Sequence, residues 1–494
     1  MKENVFRKIV FLFIPIFLEL LLVNLLSSVD TLMLTRYNEL CVDAVGASNS
    51  TQASLTTLLI ISSNGVSIVV GQFLGAGKNK DSKLILAQGV FFNFCLGLLL
   101  MVIFFFGNGA LLKMANTKEE FFEYAKTYMR IYSVALPFQA ITQVINANFR
   151  AYGKPFYMTI VSILSNLINV LFNWLLIFGV GIFPELGIAG AAIATALSMM
   201  FKTLCGILLN HFILKCPLIP RKIDHRILGA IIKIGGPSAL ETVTYSLCAF
   251  SLTAALHTLP VEEVTSRVYI NLVLGYIYMF SSALAASNSI MVARYVGSHH
   301  YQEAKTLTLK VTLVGLSIII FLVSMINIFE EPLFTLIANG DAYNPIIKSV
   351  LPMVFILEIG RCVNLIVIGA QKSSGDVLFP LILAIVSMAI VMAGGAWIFA
   401  VVFKLNLSGI ILAQGLDELV RGIISLIRWF SGRWMNKSLI KEEKKSLEEE
   451  KNSEEGVLEI YGKRKKLWCS FIQDSRWYKI LFNRKDAVRP LLFS

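Results

Sequence analysis

Five ionisable side chains lie within long apolar segments of the chain, namely Glu19, Asp30, Glu241, Glu358 and Arg361. A charge at the centre of a membrane-spanning helix costs roughly 2.5 to 3.5 kcal/mol on insertion scales. Each of these groups therefore needs an opposite charge, water, a proton or a bound ion. They are the first candidates for chemistry.

Asp30 has no cation within one helical turn on its own segment. Asn166, Asn169 and Asn173 recur three and four residues apart in a later segment, so they form one polar stripe on a helix. Thr195 lies among small residues that permit close helix packing. Carboxylate, amide and hydroxyl oxygens suit a proton or sodium, a hard cation. The alternative is that the stripe only joins helices through hydrogen bonds.

The other four ionisable groups fall into two pairs. Glu19 and Glu241 each follow a proline by four residues, which is consistent with hydrated positions near a membrane surface or with the lining of a cavity. Glu358 and Arg361 are three residues apart, on one helical face, so we expect a structural ion pair.

Composition identifies the surroundings of these residues. The chain has 494 residues, of which 56% are hydrophobic and 15% charged, and its mean hydropathy is +0.70. This indicates an all-α polytopic membrane protein. Windows of about 19 residues predict twelve transmembrane helices, near residues 9–35, 52–76, 84–112, 125–150, 156–180, 187–214, 229–257, 267–293, 307–337, 347–370, 377–403 and 407–430.

Loop charges predict the orientation in the cell (inner) membrane. Loops after even-numbered segments carry mostly Lys and Arg, whereas the other loops carry more acidic residues, so the positive-inside rule places both termini in the cytoplasm. The net charge of +12 then reflects topology, and no nucleic-acid partner is expected. The first apolar run reads as a retained helix, not a cleaved signal peptide.

The sequence contains no Walker, GxSxG or HExxH motif, and its histidines and cysteines lack metal-ligand spacing. We therefore expect neither an ATP-driven pump nor an enzyme, and no cofactor.

The chain repeats itself at an offset of 222 residues, which aligns Pro15 with Pro237, Glu19 with Glu241 and Gly75 with Gly297. Each half thus holds six helices in the same orientation, with a cavity expected between two pseudo-symmetric six-helix lobes. The predicted divisions are an amino-terminal lobe, a cytoplasmic linker, a carboxy-terminal lobe and a charged cytoplasmic tail, at residues 1–214, 215–228, 229–435 and 436–494.

Several motifs together resemble the multidrug and toxin extrusion (MATE) family. They are VDTLML around Asp30, GQFLGAG at 71–77, FRAYGKP at 149–155, INVLFNWLLIFG at 168–179 and LGIAGAAIAT at 186–195. The resemblance implies two six-helix lobes and antiport of sodium ions or protons against small organic, often cationic, compounds.

The resemblance also implies a cation site formed by Asp30, Asn169, Asn173 and Thr195, with Asp30 as the ligand of sodium if sodium is the ion. Asn173 departs from the family pattern, because some relatives carry an acid there, so the identity of the ion stays open. Tyr245 likewise stands where some branches carry a glutamate. Pro15 is the predicted hinge of the first helix, since its ring and missing N–H allow bending.

We thus expect a monomeric exporter of small organic substrates, surrounded by membrane lipid and working by alternating access. The alternative is a flippase for a lipid-linked saccharide with the same superfold. Such a flippase would line its cavity with several cations, for which Arg361 is the strongest candidate in the sequence.

Overall fold

The computed structural model describes residues 3–337 and 345–440, and these residues fold as packed helices. The amino-terminal lobe contains eight helices: α1 Glu3–Tyr37, α2 Glu39–Thr56, α3 Leu59–Gly75, α4 Asn79–Met114, α5 Phe122–Ser133, α6 Leu136–Ala151, α7 Pro155–Phe178 and α8 Ile188–Leu209. The carboxy-terminal lobe contains the rest: α9 His225–Leu256, α10 Val261–Gly297, α11 Tyr301–Ile328, α12 Glu330–Ile337, α13 Pro345–Ser374, α14 Leu378–Ser387 and α15 Asn406–Ser431.

These elements make the twelve predicted transmembrane crossings. Nine helical stretches of the described chain are each long and apolar enough to cross a membrane. Among them, α14 continues through π-helical turns at Met388–Gly394 and Trp397–Val402. The other three crossings are α2 with α3, α5 with α6, and α15, whose polar or charged residues weaken the hydropathy signal.

Two crossings are interrupted where the sequence predicted continuous helices. The second crossing breaks between Thr56 and Leu59, and the fourth breaks between Ser133 and Leu136. Pro137 lies in the first turn of α6, where the backbone needs no N–H donor, and this explains the break in the fourth crossing.

Glycine lets α7 and α8 approach closely. A Cβ atom at Gly190 would lie 2.5 Å from the carbonyl oxygen of Leu176. Any larger residue at this position would push the helices apart, and with them Asn169 and Thr195.

The two lobes meet through a pseudo-symmetric glycine contact between α3 and α10. A Cβ at Gly75 would lie 2.0 Å from the carbonyl oxygen of Arg294, and a Cβ at Gly297 would lie 1.9 Å from that of Gln72. Residues 72 and 75 correspond to 294 and 297 at the 222-residue offset. The same contact is therefore made twice, once by each repeat.

A second close contact joins α3 to α9. A Cβ at Gly235 would lie 1.7 Å from the carbonyl oxygen of Ile61, and one at Gly65 would lie 2.4 Å from that of Ile231. Together with the α3–α10 contact, these positions close one end of the interface between the lobes.

Helix α1 contributes to both lobes. Its first half packs Ile9, Leu12 and Ile16 into the core of the carboxy-terminal lobe, and the ring of Phe13 lies 5.1 Å from that of Phe280. Its second half places Leu34 in the core of the amino-terminal lobe. The helix runs without interruption through Pro15.

The division at residue 436 falls inside packed structure. Leu439, which the sequence division assigns to the tail, donates its N–H to Gln72 Oε1 at 3.1 Å. The remainder of the predicted tail, residues 441–494, lies outside the described residues.

Adjacent glycines of α9 provide a test of the lobe contact. We expect Gly235→Ala to destabilise the closed interface by about 1 to 3 kcal/mol, because the new Cβ would overlap the Ile61 carbonyl. Gly236→Ala is the matched control, since a Cβ there meets no atom within 4 Å among the described residues and should instead favour the helix by about 0.5 to 1 kcal/mol. The midpoints of thermal unfolding are measured for the two purified variants. Equal midpoints for Gly235→Ala and Gly236→Ala would disprove the close contact.

Candidate functional site

The structure brings Asp30 and Asn173 into direct contact. Asn173 Nδ2 donates to Asp30 Oδ1 at 2.7 Å, and the Asn173 side chain is only 2% exposed. No cation among the described residues lies within ion-pair distance of Asp30. The carboxylate is therefore held by a neutral amide and not by an opposite charge.

Asn169 and Thr195 complete this cluster. One amide atom of Asn169 lies 3.1 Å from both carboxylate oxygens of Asp30, and donation of a hydrogen bond requires this atom to be the nitrogen. The other amide atom then accepts from Thr195 N at 3.3 Å. The four residues that the resemblance groups thus lie together, while Asn166 makes no hydrogen bond to Asp30.

Three helices position the cluster near one end of the lobe. Asp30 precedes the end of α1 by seven residues, Asn173 precedes the end of α7 by five, and Thr195 follows the start of α8 by seven. These ends meet, since the rings of Tyr37 and Phe178 lie 6.4 Å apart. The Asp30 cluster lies near the loops that follow the first and fifth crossings, whereas the glycine contact of α3 with α10 lies beside the loops that follow the second and eighth crossings. Because successive crossings alternate in direction, these loops lie on opposite sides of the membrane.

Sequence reasoning did not single out Tyr128 near this site. This tyrosine is buried on α5, which packs against α8, the helix of Thr195. It lies in a short amphipathic helix, whose sequence marks an apolar face but not the neighbouring helix, so only the packing of α5 against α8 identifies it.

Glu19 and Glu241 each have a cationic partner in their own lobe. Arg150 Nη2 donates to Glu19 Oε2 at 2.8 Å, and Lys372 Nζ lies 2.6 Å from Glu241 Oε2. The two cations, like the two acids, are 222 residues apart. This shared offset was the sequence signal that could have revealed both pairs. Glu19 is 6% exposed, so it is buried and not hydrated.

A second charged cluster occupies the carboxy-terminal lobe. Arg361 donates to Glu358, as the three-residue spacing predicts, and Glu358 is fully buried. On α15, Arg421 Nη2 lies 2.6 Å from Asp417 Oδ2 and 3.3 Å from Glu418 Oε2. The structure therefore places these groups away from the Asp30 cluster, and the two sets form separate sites.

This second cluster borders a cavity of about 590 Å³ between α9, α10, α13 and α15, with Asn64 of α3 at its edge. Four cations line it, namely Arg267, Arg361, Lys372 and Arg421. Of these, sequence reasoning singled out only Arg361 as a cavity cation.

The described residues contain no group of three or more His, Cys, Asp or Glu side chains arranged to hold a metal ion. The Asp30 cluster instead offers one carboxylate with amide and hydroxyl groups. This is the chemistry of a site that exchanges a proton or a monovalent cation, and the assignment stays a prediction.

Two related six-helix lobes, an intramembrane carboxylate and a cavity together define a membrane transporter. A sequence profile described as MatE matches residues 15–175 and 237–398, and the two matches begin 222 residues apart, as the internal repeat does. The chain therefore belongs to the MATE family of multidrug efflux transporters.

Its relatives are bacterial transporters. The chain is 28% identical to "Uncharacterized transporter YisQ" of Bacillus subtilis over 86% of this chain and 94% of that protein. It is 24% identical to "Probable multidrug resistance protein NorM" of Thermotoga maritima over 89% of this chain and 95% of that protein. The fold is shared with a solved structure described as the outward-facing conformation of a multidrug resistance MATE family transporter of the MOP superfamily. The TM-score is 0.78 and the sequence identity 19%, over 86% of this chain and 95% of that chain.

The Glu358–Arg361 pair can be tested by a double-mutant cycle. We expect Glu358→Gln or Arg361→Gln alone to destabilise the protein by about 3 to 5 kcal/mol, because each leaves a buried charge without its partner. The double variant should lose less stability than the sum of the two changes. Additive losses in thermal unfolding would exclude coupling between the two side chains.

Proposed function

We propose that this protein exports small organic, often cationic, compounds in exchange for sodium ions or protons, without a cofactor and without enzymatic activity. The supporting observation is Asp30, a carboxylate within a transmembrane helix whose described partners are neutral amides. Such a group is stable when it takes up a cation or a proton, so it can couple ion movement to a change of shape.

The cluster has free capacity to coordinate a cation. Asn173 Nδ2 donates a hydrogen bond to Asp30, but Asn173 Oδ1 is buried and has no hydrogen-bond partner among the described residues. A sodium ion between Asp30 and Asn173 Oδ1 would use this oxygen. A proton on Asp30 would instead give the carboxyl group a donor of its own.

Helix α1 is the element that would transmit the change. Asp30 lies in the part of α1 that belongs to the amino-terminal lobe, whereas Ile9 and Ile16 pack in the carboxy-terminal lobe. Pro15 lies next to Ile16, near the end of the segment of α1 that packs in the carboxy-terminal lobe. The carbonyl of Pro15 accepts a hydrogen bond from Thr159 Oγ1 of α7 at 3.1 Å. Bending near Pro15 would let one half of α1 move while the other half stays packed.

Loop charge supports an orientation for the structure. The closed end carries the loops after Gly75 and Gly297, which are among the cation-rich loops that the positive-inside rule assigns to the cytoplasm. We propose that both termini are cytoplasmic and that the structure is an outward-facing state. In this proposal, lobes 1–214 and 229–435 rock about the contact of α3, joined by the linker 215–228. One chain contains both lobes, so a monomer suffices.

The comparisons do not favour the flippase alternative, because the relatives are named as multidrug resistance proteins or as a transporter without an assigned substrate. Acidic side chains also neutralise three of the four cavity cations, namely Arg361, Lys372 and Arg421. A pyrophosphate site would need more free positive charge.

Replacement of the coupling carboxylate tests the proposal. We expect Asp30→Asn to reach normal membrane abundance but to lose gradient-driven export, because asparagine neither takes up a proton nor balances sodium. Transport of ethidium and of 2-naphthoate is measured in everted vesicles with imposed sodium or pH gradients. Glu123→Gln, which removes an exposed carboxylate of α5, is the control. Wild-type export with unchanged ion dependence in Asp30→Asn would refute coupling at this residue.

A second carboxylate should alter the ion response. In Asn173→Asp the new group would lie about as close to Asp30 as the amide does at 2.7 Å. Two carboxylates at this distance favour a shared proton or a cation between them. We therefore expect a changed pH profile or sodium dependence of export, with transport retained. If both profiles match those of the wild type, Asn173 is not part of the coupling site.

A further inference from the structure

Arg267 is a buried guanidinium without a counter-charge. It lies on α10, is 9% exposed and lines the cavity of the carboxy-terminal lobe. Its Nη2 donates to the neutral Gln414 Oε1 at 2.5 Å, while Nη1 is buried and has no hydrogen-bond partner in the described part of the chain. No carboxylate of the described residues lies within ion-pair distance of it.

The neighbouring charges do not neutralise Arg267. Arg361, Lys372 and Arg421 of the same cavity each have an acidic partner. Arg267 therefore faces a cavity whose nearby acids are already paired. A buried charge without a partner is energetically costly, and this cost would be removed if an anion entered the cavity.

The charge of Arg267 is specific to one lobe. At the 222-residue offset the counterparts of Arg267, Arg361 and Arg421 are the uncharged Val45, Gln139 and Met199. The pairs Glu19–Arg150 and Glu241–Lys372, in contrast, occur in both lobes. One ion pair is thus repeated in both lobes, whereas Arg267 and the ion pairs of Arg361 and Arg421 occur only in the carboxy-terminal lobe.

The cavity can also hold the organic part of a ligand. Its volume of about 590 Å³ falls within the range of roughly 300 to 1,000 Å³ that is usual for small-molecule sites. Tyr245, Tyr278 and Leu274 line it beside Arg267. An aromatic or aliphatic body can pack on these side chains while an oxyanion accepts from the guanidinium.

We propose that the carboxy-terminal cavity binds the oxyanion of an organic molecule, a carboxylate or a phosphate, through Arg267. The proposal rests on the exporter function and names a substrate class for it: an amphiphile that carries an anionic group, in addition to any cationic one. A lipid phosphate and a soluble carboxylate share this chemistry, and the experiment distinguishes them.

Binding is measured without any ion gradient, so that failure of this proposal is separate from failure of coupled export. The full chain is placed in phosphatidylcholine nanodiscs with 2-naphthoate, and naphthalene-2-carboxamide and 2-naphthylmethylammonium are the neutral and cationic analogues. We expect naphthoate to raise the thermal unfolding midpoint and to quench tryptophan fluorescence, and we expect the two analogues to have much weaker effects.

Two substitutions distinguish a ligand site from a structural role. Arg267→Gln should weaken naphthoate binding by about tenfold or more, because a charge-assisted hydrogen bond is lost, while the ligand-free midpoint stays equal or rises. Gln414→Glu should place the missing carboxylate beside Arg267, raise the ligand-free midpoint and abolish naphthoate binding. Arg221→Gln, in an exposed loop, is the matched control and should bind as the wild type does.

Anionic lipid identifies the source of the oxyanion. If phosphatidylglycerol in the nanodisc weakens naphthoate binding to the wild type but not to Arg267→Gln, a lipid phosphate occupies the site. If it has no effect, the site takes a soluble anion. Naphthoate binding that is unchanged in both Arg267→Gln and Gln414→Glu, or preference for the ammonium analogue, would overturn the proposal.

Discussion

The cost of placing charge inside a membrane organises this structure. Water is absent from the hydrocarbon region, so a buried carboxylate or guanidinium is stable only beside a partner. Glu19 meets Arg150, Glu241 meets Lys372, and Asp417 meets Arg421. Asp30 and Arg267 have no such charged partner among the described residues. Asp30 lies in one lobe and Arg267 in the other, and each is suited to a ligand of opposite charge.

The two lobes share a framework but differ in the groups added to it. The framework comprises the paired glutamates and the glycines at the crossing of α3 and α10, which recur at one sequence offset. The additions do not recur: the position equivalent to Asp30 is Leu252, and the position equivalent to Arg267 is Val45. A symmetric scaffold can therefore rock as two equivalent bodies while its two lobes present different charged groups.

Much of this architecture could be predicted from the sequence. Hydropathy located the twelve crossings, and the three-residue spacing of Glu358 and Arg361 predicted their pairing, because helical periodicity fixes which side chains share a face. The breaks near Thr57 and Val134 were missed, since Ser, Thr and Asn obscure the ends of weakly apolar helices.

Contacts between helices were harder to predict. Asp30, Asn169, Asn173 and Thr195 were grouped through family resemblance, and the structure brings them together, although their role is still a prediction. The significance of Arg267 was invisible, because periodicity describes a helix face but does not identify the neighbouring helix that offers Gln414 instead of an acid. Tyr128 was not singled out for the same reason, because the sequence does not show that α5 packs against α8.

The doubled glycine contact has a consequence for the origin of the fold. Gly75 packs on residue 294 and Gly297 packs on residue 72, so each surface is complementary to its own repeat. This is the isologous arrangement by which two identical subunits form a two-fold dimer. An ancestral six-helix protein could have assembled through the same surface before gene duplication and fusion joined its copies. Duplication allowed the copies to diverge, so that one carries an unpaired acid and the other an unpaired base.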